Sequence, residues 1–110
     1  MKACPIILDF ETHDMTVAGI SHLPHLISAA LAKTVMKNDD NNKHMHQLAA
    51  GGFKDTTRIA ASSPEMWSQI CSTNDEAICV MLDKYIEELT EIRNVVANNK
   101  NNPDESATYI

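Results

Sequence analysis

The clearest helical pattern in this sequence is AICVMLDKYIEELTEIRNVV, residues 77–96. Its apolar side chains recur at spacings of three and four, which places them on one face of an α-helix. They are Ile78, Met81, Leu82, Tyr85, Ile86, Leu89, Ile92 and Val96. The opposite face carries Glu87, Glu88, Glu91 and Arg93 and is typical of a solvated surface. Just before this stretch, Thr73 and Glu76 resemble a capping box that would begin the helix.

A second apolar stripe predicts a long helix from about Glu11 to Lys37. It consists of Val17, Ile20, Leu23, Ile27, Ala30, Leu31 and Val35. A narrower polar stripe follows the same spacing, with Asp14, Ala18, Ser21, His25 and Ser28. Pro24 lacks the N–H that would pair with the Ile20 carbonyl, so a kink is expected there. The alternative is a helix that ends near Ile20 and a new one that begins with Ser21 as its cap.

The middle of the chain is predicted to contain loops and shorter helices. The Asn- and Asp-rich segment Asn38–Lys43 is typical of a solvated loop, and a short helical stretch is expected around His44–Ala50. Gly51 and Gly52 would permit close approach of a ligand to the main chain, although spacing alone fits a plain turn equally well. Ser63 followed by Pro64 indicates another helix start. The apolar face of that helix would consist of Met66, Trp67, Ile70 and Cys71.

These patterns predict an all-α fold. The 110 residues suit one domain, and no strand pattern is evident after the extended lead-in at residues 5–8. We expect a helical domain over residues 1–97, followed by a polar, Asn-rich tail or linker over residues 98–110. A first helix of about 27 residues would be roughly 40 Å long, which is more than a chain of this size comfortably covers. It therefore hints at a partner subunit.

Composition excludes several classes of protein. The formal net charge of −6 argues against a general nucleic-acid binder, which needs an excess of Lys and Arg. No uninterrupted apolar run approaches the roughly 20 residues that span a bilayer, and the N-terminus lacks a signal-peptide pattern, so a cytoplasmic protein without membrane contact is expected. Cys4, Cys71 and Cys79 form no close pair, which favours buried, reduced thiols over disulfides or a zinc ribbon.

Ser21, His22 and His25, together with Arg58, form the constellation most relevant to chemistry. As a metal site they lack a third ligand at helical spacing. As a structural pair, the histidines would be satisfied by backbone carbonyls. As an anion site, His25 and Arg58 would hold a carboxylate, with Ser21 as a neutral donor. The chain contains neither a nucleophilic triad nor a glycine motif that would bind a dinucleotide.

Taken together, these fragments resemble the C-terminal helical domain of prephenate dehydrogenases. The resemblance covers about the first ninety residues in order and spacing. It is carried by His13-Asp14, Ser21-His22-Leu23-Pro24-His25, Gly51-Gly52-Phe53-Lys54-Asp55-Thr56-Thr57-Arg58-Ile59-Ala60, Pro64-Glu65-Met66-Trp67 and Asn74.

The resemblance implies an oxidative decarboxylation that converts prephenate and NAD to 4-hydroxyphenylpyruvate, CO2 and NADH in tyrosine biosynthesis. Family members join an N-terminal Rossmann domain, which binds NAD, to a helical domain that dimerises and completes the substrate pocket. Tyrosine would bind there as an inhibitor. Carried over by position, the substrate-binding residues would be Ser21, His25, Gly51 and Arg58. The residues at the pocket edge or interface would be His22, Lys54, Asp55 and Trp67.

The family's catalytic histidine and its cofactor motif belong to the Rossmann domain, which has no counterpart in this sequence. The resemblance therefore implies that the chain holds no catalytic residue and does not turn over substrate alone. It would be a piece of a longer enzyme or a separate reading frame, and its tail would suit a linker to a regulatory domain. The rival hypothesis is a stand-alone helical dimerisation or ligand-sensing module without catalysis.

Overall fold

The computed structural model describes residues 9–58 and 64–109, and within these ranges it contains helices and no strand. The predicted all-α class is therefore confirmed. In chain order the elements are α1 (Phe10–Val17), a π-helical turn (Ala18–His22), α2 (Leu23–Asn38), α3 (His44–Gln47), α4 (Gly51–Arg58), α5 (Pro64–Thr73), α6 (Asp75–Ala97) and α7 (Pro103–Tyr109).

The first long helix is continuous over Phe10–Asn38, close to the bounds that the sequence predicts. Its start is capped by Asp9, whose side chain accepts from the Thr12 N–H at 2.6 Å. The irregularity expected at Pro24 takes the form of the π-helical turn just before it, in which the Leu23 N–H donates to the Ala18 carbonyl. The alternative of two separate helices is wrong, because Ser21 lies inside this turn.

The interior is small and lies along α6, which packs against the first long helix and against α7. Among the described residues, Ala18, Ile78 and Val95 are the buried apolar side chains. Gly19 lets the helices approach closely, because a Cβ there would lie only 3.1 Å from Cε of Met81. Many positions of the two apolar stripes stay uncovered: Ile20 is 75% exposed in a single copy.

The start of α6 differs from the predicted capping box. The N-cap position is Asn74, without a local side-chain cap, and Thr73 is the last residue of α5. The Thr73 hydroxyl donates back to the Gln69 carbonyl at 2.9 Å. A threonine that is still helical bonds to its own helix, so it cannot reach forward to cap the next one.

The prediction of buried thiols is wrong. Cys71 and Cys79 are both exposed, since each lies on a helix side that no described element covers. Gly51 and Gly52 form the first turn of α4 and adopt no positive φ, so the plain turn that their spacing allowed is a helix start, and the close approach of a ligand stays a prediction. The predicted cap Ser63 and the thiol of Cys4 lie outside the described residues.

The C-terminal segment is more ordered than its composition suggests. Residues Pro103–Tyr109 form α7, which packs against α6, and the Tyr109 hydroxyl hydrogen-bonds with the Glu88 carboxylate. This bond to a carboxylate raises the pKa of Tyr109 above its ordinary value. Part of the expected polar tail or linker is therefore a helix over these residues.

The first long helix is relevant to the expectation that the protein makes no membrane contact. Its 29 residues include a window with a mean hydropathy of 1.3, enough by length and composition alone to cross a bilayer. Interspersed His, Ser and Thr interrupt the apolar run of this segment, so no uninterrupted run of spanning length occurs, whereas a window average tolerates these residues. Only 11% of that window is buried in a single copy. A helix that a second subunit covers passes the same test.

Candidate functional site

Two histidines and the chain's single tryptophan form an aromatic cluster between the first long helix and α5. The His25 and Trp67 ring centroids lie 4.7 Å apart, with the rings tilted by 39°. The His22 ring lies 5.9 Å from Trp67 in an edge arrangement at 80°. His22 ends the π-helical turn and His25 lies three residues later, so both rings reach the same side of the helix.

Two polar atoms inside this cluster have no hydrogen-bond partner among residues 9–58 and 64–109. They are Nε2 of His25 and Nε1 of Trp67, and both are buried. The hypothesis of histidines satisfied by backbone carbonyls therefore does not hold for Nε2 of His25. Leaving a buried polar group unpaired costs about 1–3 kcal/mol, so such groups call for an explanation. A polar ligand that reaches these atoms would supply the missing partner.

A hydrogen bond joins α4 to the first long helix. Ser28, 1% exposed, donates from its hydroxyl to the Thr56 carbonyl at 2.6 Å. Ser28 lies one turn after His25, and Arg58 follows Thr56 by two residues at the end of α4. The side chain of Arg58 is exposed and makes no hydrogen bond or ion pair within residues 9–58 and 64–109. Its guanidinium is therefore free to bind an anion.

The other predicted site residues are more scattered. Ser21 is exposed within the π-helical turn, and Lys54 and Asp55 are exposed on α4. Gly51 begins α4 whereas Arg58 ends it, which separates their backbones by roughly 10 Å at ~1.5 Å per residue. A single copy therefore brings His22, His25 and Trp67 together and leaves Ser21 and the α4 residues open to solvent.

Asn74 is a residue of this region to which sequence reasoning assigned no role. Its side-chain nitrogen lies 3.0 Å from the Asp14 carbonyl oxygen and 3.3 Å from Nδ1 of His22. An asparagine at a helix start predicts a local cap. The side chain of Asn74 instead bonds to Asp14, 60 residues earlier, and a local pattern contains no information about that contact.

Neither of the two described cavities is lined by His22, His25 or Trp67. One, of about 370 Å³, lies between α1 and the start of α6 and has an acidic lining that includes Glu11, Asp14, Asp75 and Glu76. The other, of about 440 Å³, has a largely apolar lining from α2 to α4. In the part of the chain that the structure describes, no three His, Cys, Asp or Glu side chains are grouped to hold a metal ion. The metal hypothesis thus gains no support.

Comparison with known proteins gives a consistent family match. Residues 9–106 match the family model for the prephenate dehydrogenase dimerization domain. The prephenate dehydrogenase of Bacillus subtilis (strain 168) is 40% identical over 86 residues, which are 78% of this chain and 23% of that protein. The cyclohexadienyl dehydrogenase of Zymomonas mobilis is 34% identical over 93 residues, 84% of this chain and 32% of that protein. The chain thus spans about a quarter to a third of these relatives.

Solved structures show the same fold. The prephenate dehydrogenase of A. aeolicus, solved with hydroxyphenyl propionate and NAD+, superposes with a TM-score of 0.81 at 29% identity, over 93% of this chain and 35% of that one. The arogenate dehydrogenase of Synechocystis superposes with a TM-score of 0.80 at 27% identity, over 96% of this chain and 42% of that one.

Proposed function

Since this chain belongs to the family of prephenate dehydrogenase dimerization domains, we propose that it is the dimerisation and substrate-binding part of an NAD-dependent prephenate dehydrogenase. The whole enzyme would oxidise prephenate with NAD to 4-hydroxyphenylpyruvate, CO2 and NADH. A Rossmann domain would hold NAD and supply the catalytic histidine. In this proposal the enzyme is cytoplasmic and tyrosine competes with substrate for the same site.

The observation that carries this proposal is Nε2 of His25, which is buried beside Trp67 without a hydrogen-bond partner among the described residues. Arg58 supports it, because α4, which ends with Arg58, is hydrogen-bonded to Ser28, one helical turn after His25. Prephenate has two carboxylates and a ring. Arg58 suits a carboxylate because its planar guanidinium donates two parallel hydrogen bonds. In a chain of net charge −6, such a local positive group attracts the dianion while the overall charge disfavours nonspecific anions.

The residues of this chain do not fit NAD. A dinucleotide site needs a glycine-rich turn between a strand and a helix, where backbone N–H groups meet the pyrophosphate. The described residues contain no strand, and Gly51 and Gly52 lie within α4. The third glycine, Gly19, faces Met81. The proposal therefore assigns cofactor binding entirely to another domain.

Dimerisation accounts for the apolar surface that one copy leaves uncovered. The first long helix is only 11% buried over its most apolar window, and α6 exposes Ile86, Leu89 and Val96. Contiguous apolar surface of this kind marks interfaces in soluble proteins. We propose that a second copy covers these faces and that Ser21, Gly51, Lys54 and Asp55 complete the site at or near that interface.

The test combines light-scattering mass with calorimetric titration of this chain by prephenate and by tyrosine. We expect a dimer, and we expect Arg58→Ala to weaken ligand binding about 10- to 150-fold, the equivalent of the 1.5–3 kcal/mol of a charge-assisted hydrogen bond. The control is Lys84→Ala, which removes a positive charge from an exposed residue on a side of α6 that faces away from Ile86, Leu89 and Val96.

Three results would change the proposal. Equal affinity in the wild type and Arg58→Ala would remove Arg58 from the site. A dimer that binds neither ligand would restrict this chain to the subunit interface and place the binding determinants in another domain. A monomer that binds neither ligand would refute both parts.

A further inference from the structure

Asn74 connects the start of α6 to the first long helix at two points, 60 and 52 residues earlier in the sequence. Its side-chain nitrogen donates to the Asp14 carbonyl in α1 and lies 3.3 Å from Nδ1 of His22, the last residue of the π-helical turn. The same carboxamide thus contacts a residue before that turn and the residue that ends it. The side chain of Asn74 makes no local cap bond, so its hydrogen bonds among the described residues are these long-range ones.

The two bonds determine the protonation of His22. A backbone carbonyl only accepts, so the Asn74 atom next to the Asp14 oxygen is the amide nitrogen, which only donates. Nδ1 of His22 must then be an acceptor and carry no proton. His22 is therefore the neutral imidazole with its proton on Nε2.

The His22 ring in turn contacts the tryptophan of the proposed site. It meets Trp67 edge-on at 5.9 Å, and the same indole packs against His25 at 4.7 Å. Aromatic contacts at these distances contribute energy that depends on ring orientation. An imidazole held in one orientation therefore favours one orientation of its tryptophan neighbour.

We propose that Asn74 is a positioning residue, which holds His22 as the Nε2–H tautomer and thereby holds Trp67 beside His25. Asn74 and His22 touch no reacting atom in this scheme. The relevance of His25 to substrate rests on the proposed function, whereas the tautomer and the ring contacts do not.

The test is nitrogen-15 and proton NMR of the histidine and tryptophan rings, without ligand, at about pH 8, where histidines are mostly neutral. The chain supplies two internal references. The ring of His46 has no hydrogen bond among the described residues, and Nδ1 of His44 lies 2.5 Å from the Asp40 carboxylate, which should fix the proton on Nδ1. We expect Nδ1 of His22 to be unprotonated and hydrogen-bonded, unlike that of His44.

Two variants separate positioning from helix capping. Asn74→Asp and Asn74→Ser both keep a residue type preferred at a helix start, so α6 should form in each, which circular dichroism checks. In Asn74→Asp the carboxylate should draw the proton of His22 to Nδ1, giving a spectrum like that of His44. In Asn74→Ser the side chain is too short to reach, and the ring of His22 should exchange between tautomers, as that of His46 does.

Ring contacts provide the second readout. In both Asn74 variants the nuclear Overhauser effects between Trp67 and His25 should weaken, and in the exposed control Asn101→Asp they should persist. An Nδ1–H tautomer of His22 in the wild type, or one that does not respond to Asn74→Asp, would overturn the assignment. A changed tautomer with unaltered contacts between Trp67 and His25 would overturn the positioning step. Neither result depends on whether prephenate binds.

Discussion

Removal of the Ser28 hydroxyl should loosen the attachment of α4. Ser28 is the most deeply buried polar side chain of the described residues, at 1% exposure, and its hydroxyl donates to the Thr56 carbonyl at 2.6 Å. This bond joins the first long helix to the helix that ends with Arg58. Ser28→Ala deletes one oxygen and leaves the carbonyl without that donor.

The expected magnitude follows from three contributions. The lost hydrogen bond is worth about 1 kcal/mol net, and desolvation of the unpaired carbonyl can raise the cost to about 2 kcal/mol. Alanine in a helix interior returns roughly 0.5 kcal/mol through its better helix propensity. Ser72→Ala is the matched control, because Ser72 is exposed and its hydroxyl only donates back to Ser68 within α5 at 2.8 Å.

Urea unfolding at one fixed protein concentration measures the effect, since the stability of a dimer depends on concentration. We expect Ser28→Ala to lower the free energy of unfolding by about 1–2 kcal/mol relative to Ser72→Ala, with wild-type circular dichroism. In the titrations proposed above, it should also weaken prephenate binding through a displaced Arg58. Equal stability of the two variants would refute the argument that this bond holds α4.

Two further predictions concern local geometry. Gly52→Ala should raise the free energy of unfolding by up to about 1 kcal/mol, because a Cβ at Gly52 meets nothing within 4 Å. Gly19→Ala should raise the free energy of unfolding by less, because its Cβ would lie 3.1 Å from Cε of Met81. Equal gains in urea unfolding would contradict the close approach at Gly19. The hydrogen bond from the Thr12 N–H lowers the pKa of Asp9 below its ordinary value of 3.8. The Asp9 carboxylate therefore stabilises the fold above pH 3.8, and this contribution is lost as the pH falls through the pKa of Asp9 in the folded protein. Asp9→Asn keeps the cap without titrating, so its urea midpoint should fall less than that of the wild type between about pH 5 and pH 2; parallel falls would exclude Asp9 from the acid response.

Periodicity explains why the helices were predictable from sequence. The stripes over Glu11–Lys37 and residues 77–96 recur at the helical repeat, a local property that needs no knowledge of the partner element. They predicted α6 and the long first helix to within a few residues. The family motif similarly placed His22, His25 and Trp67 in one site before their ring contacts were visible.

Local signals failed wherever a neighbouring element competed for the same group. Thr73 and Glu76 have the spacing of a capping box, but α5 continues through Thr73 and takes up its hydroxyl. Tyr109 lies in a polar tail with little to bury, yet a hydrogen bond to Glu88 ties it to α6. Each outcome depends on which helix lies next to the residue, and spacing along one segment contains no such information.

The residue types along the chain suffice to set the helical class, the apolar stripes of the two long helices, and the net charge that argues against nucleic acid, because each depends only on composition and local repeat. The hydrogen-bond partners of the polar side chains on the first long helix depend on tertiary structure. Packing of α6 against the π-helical turn brings Asn74 to His22, and packing of α4 brings the Thr56 carbonyl to Ser28. These bonds span 52 and 28 residues, and each requires that separate helices meet at hydrogen-bond distance.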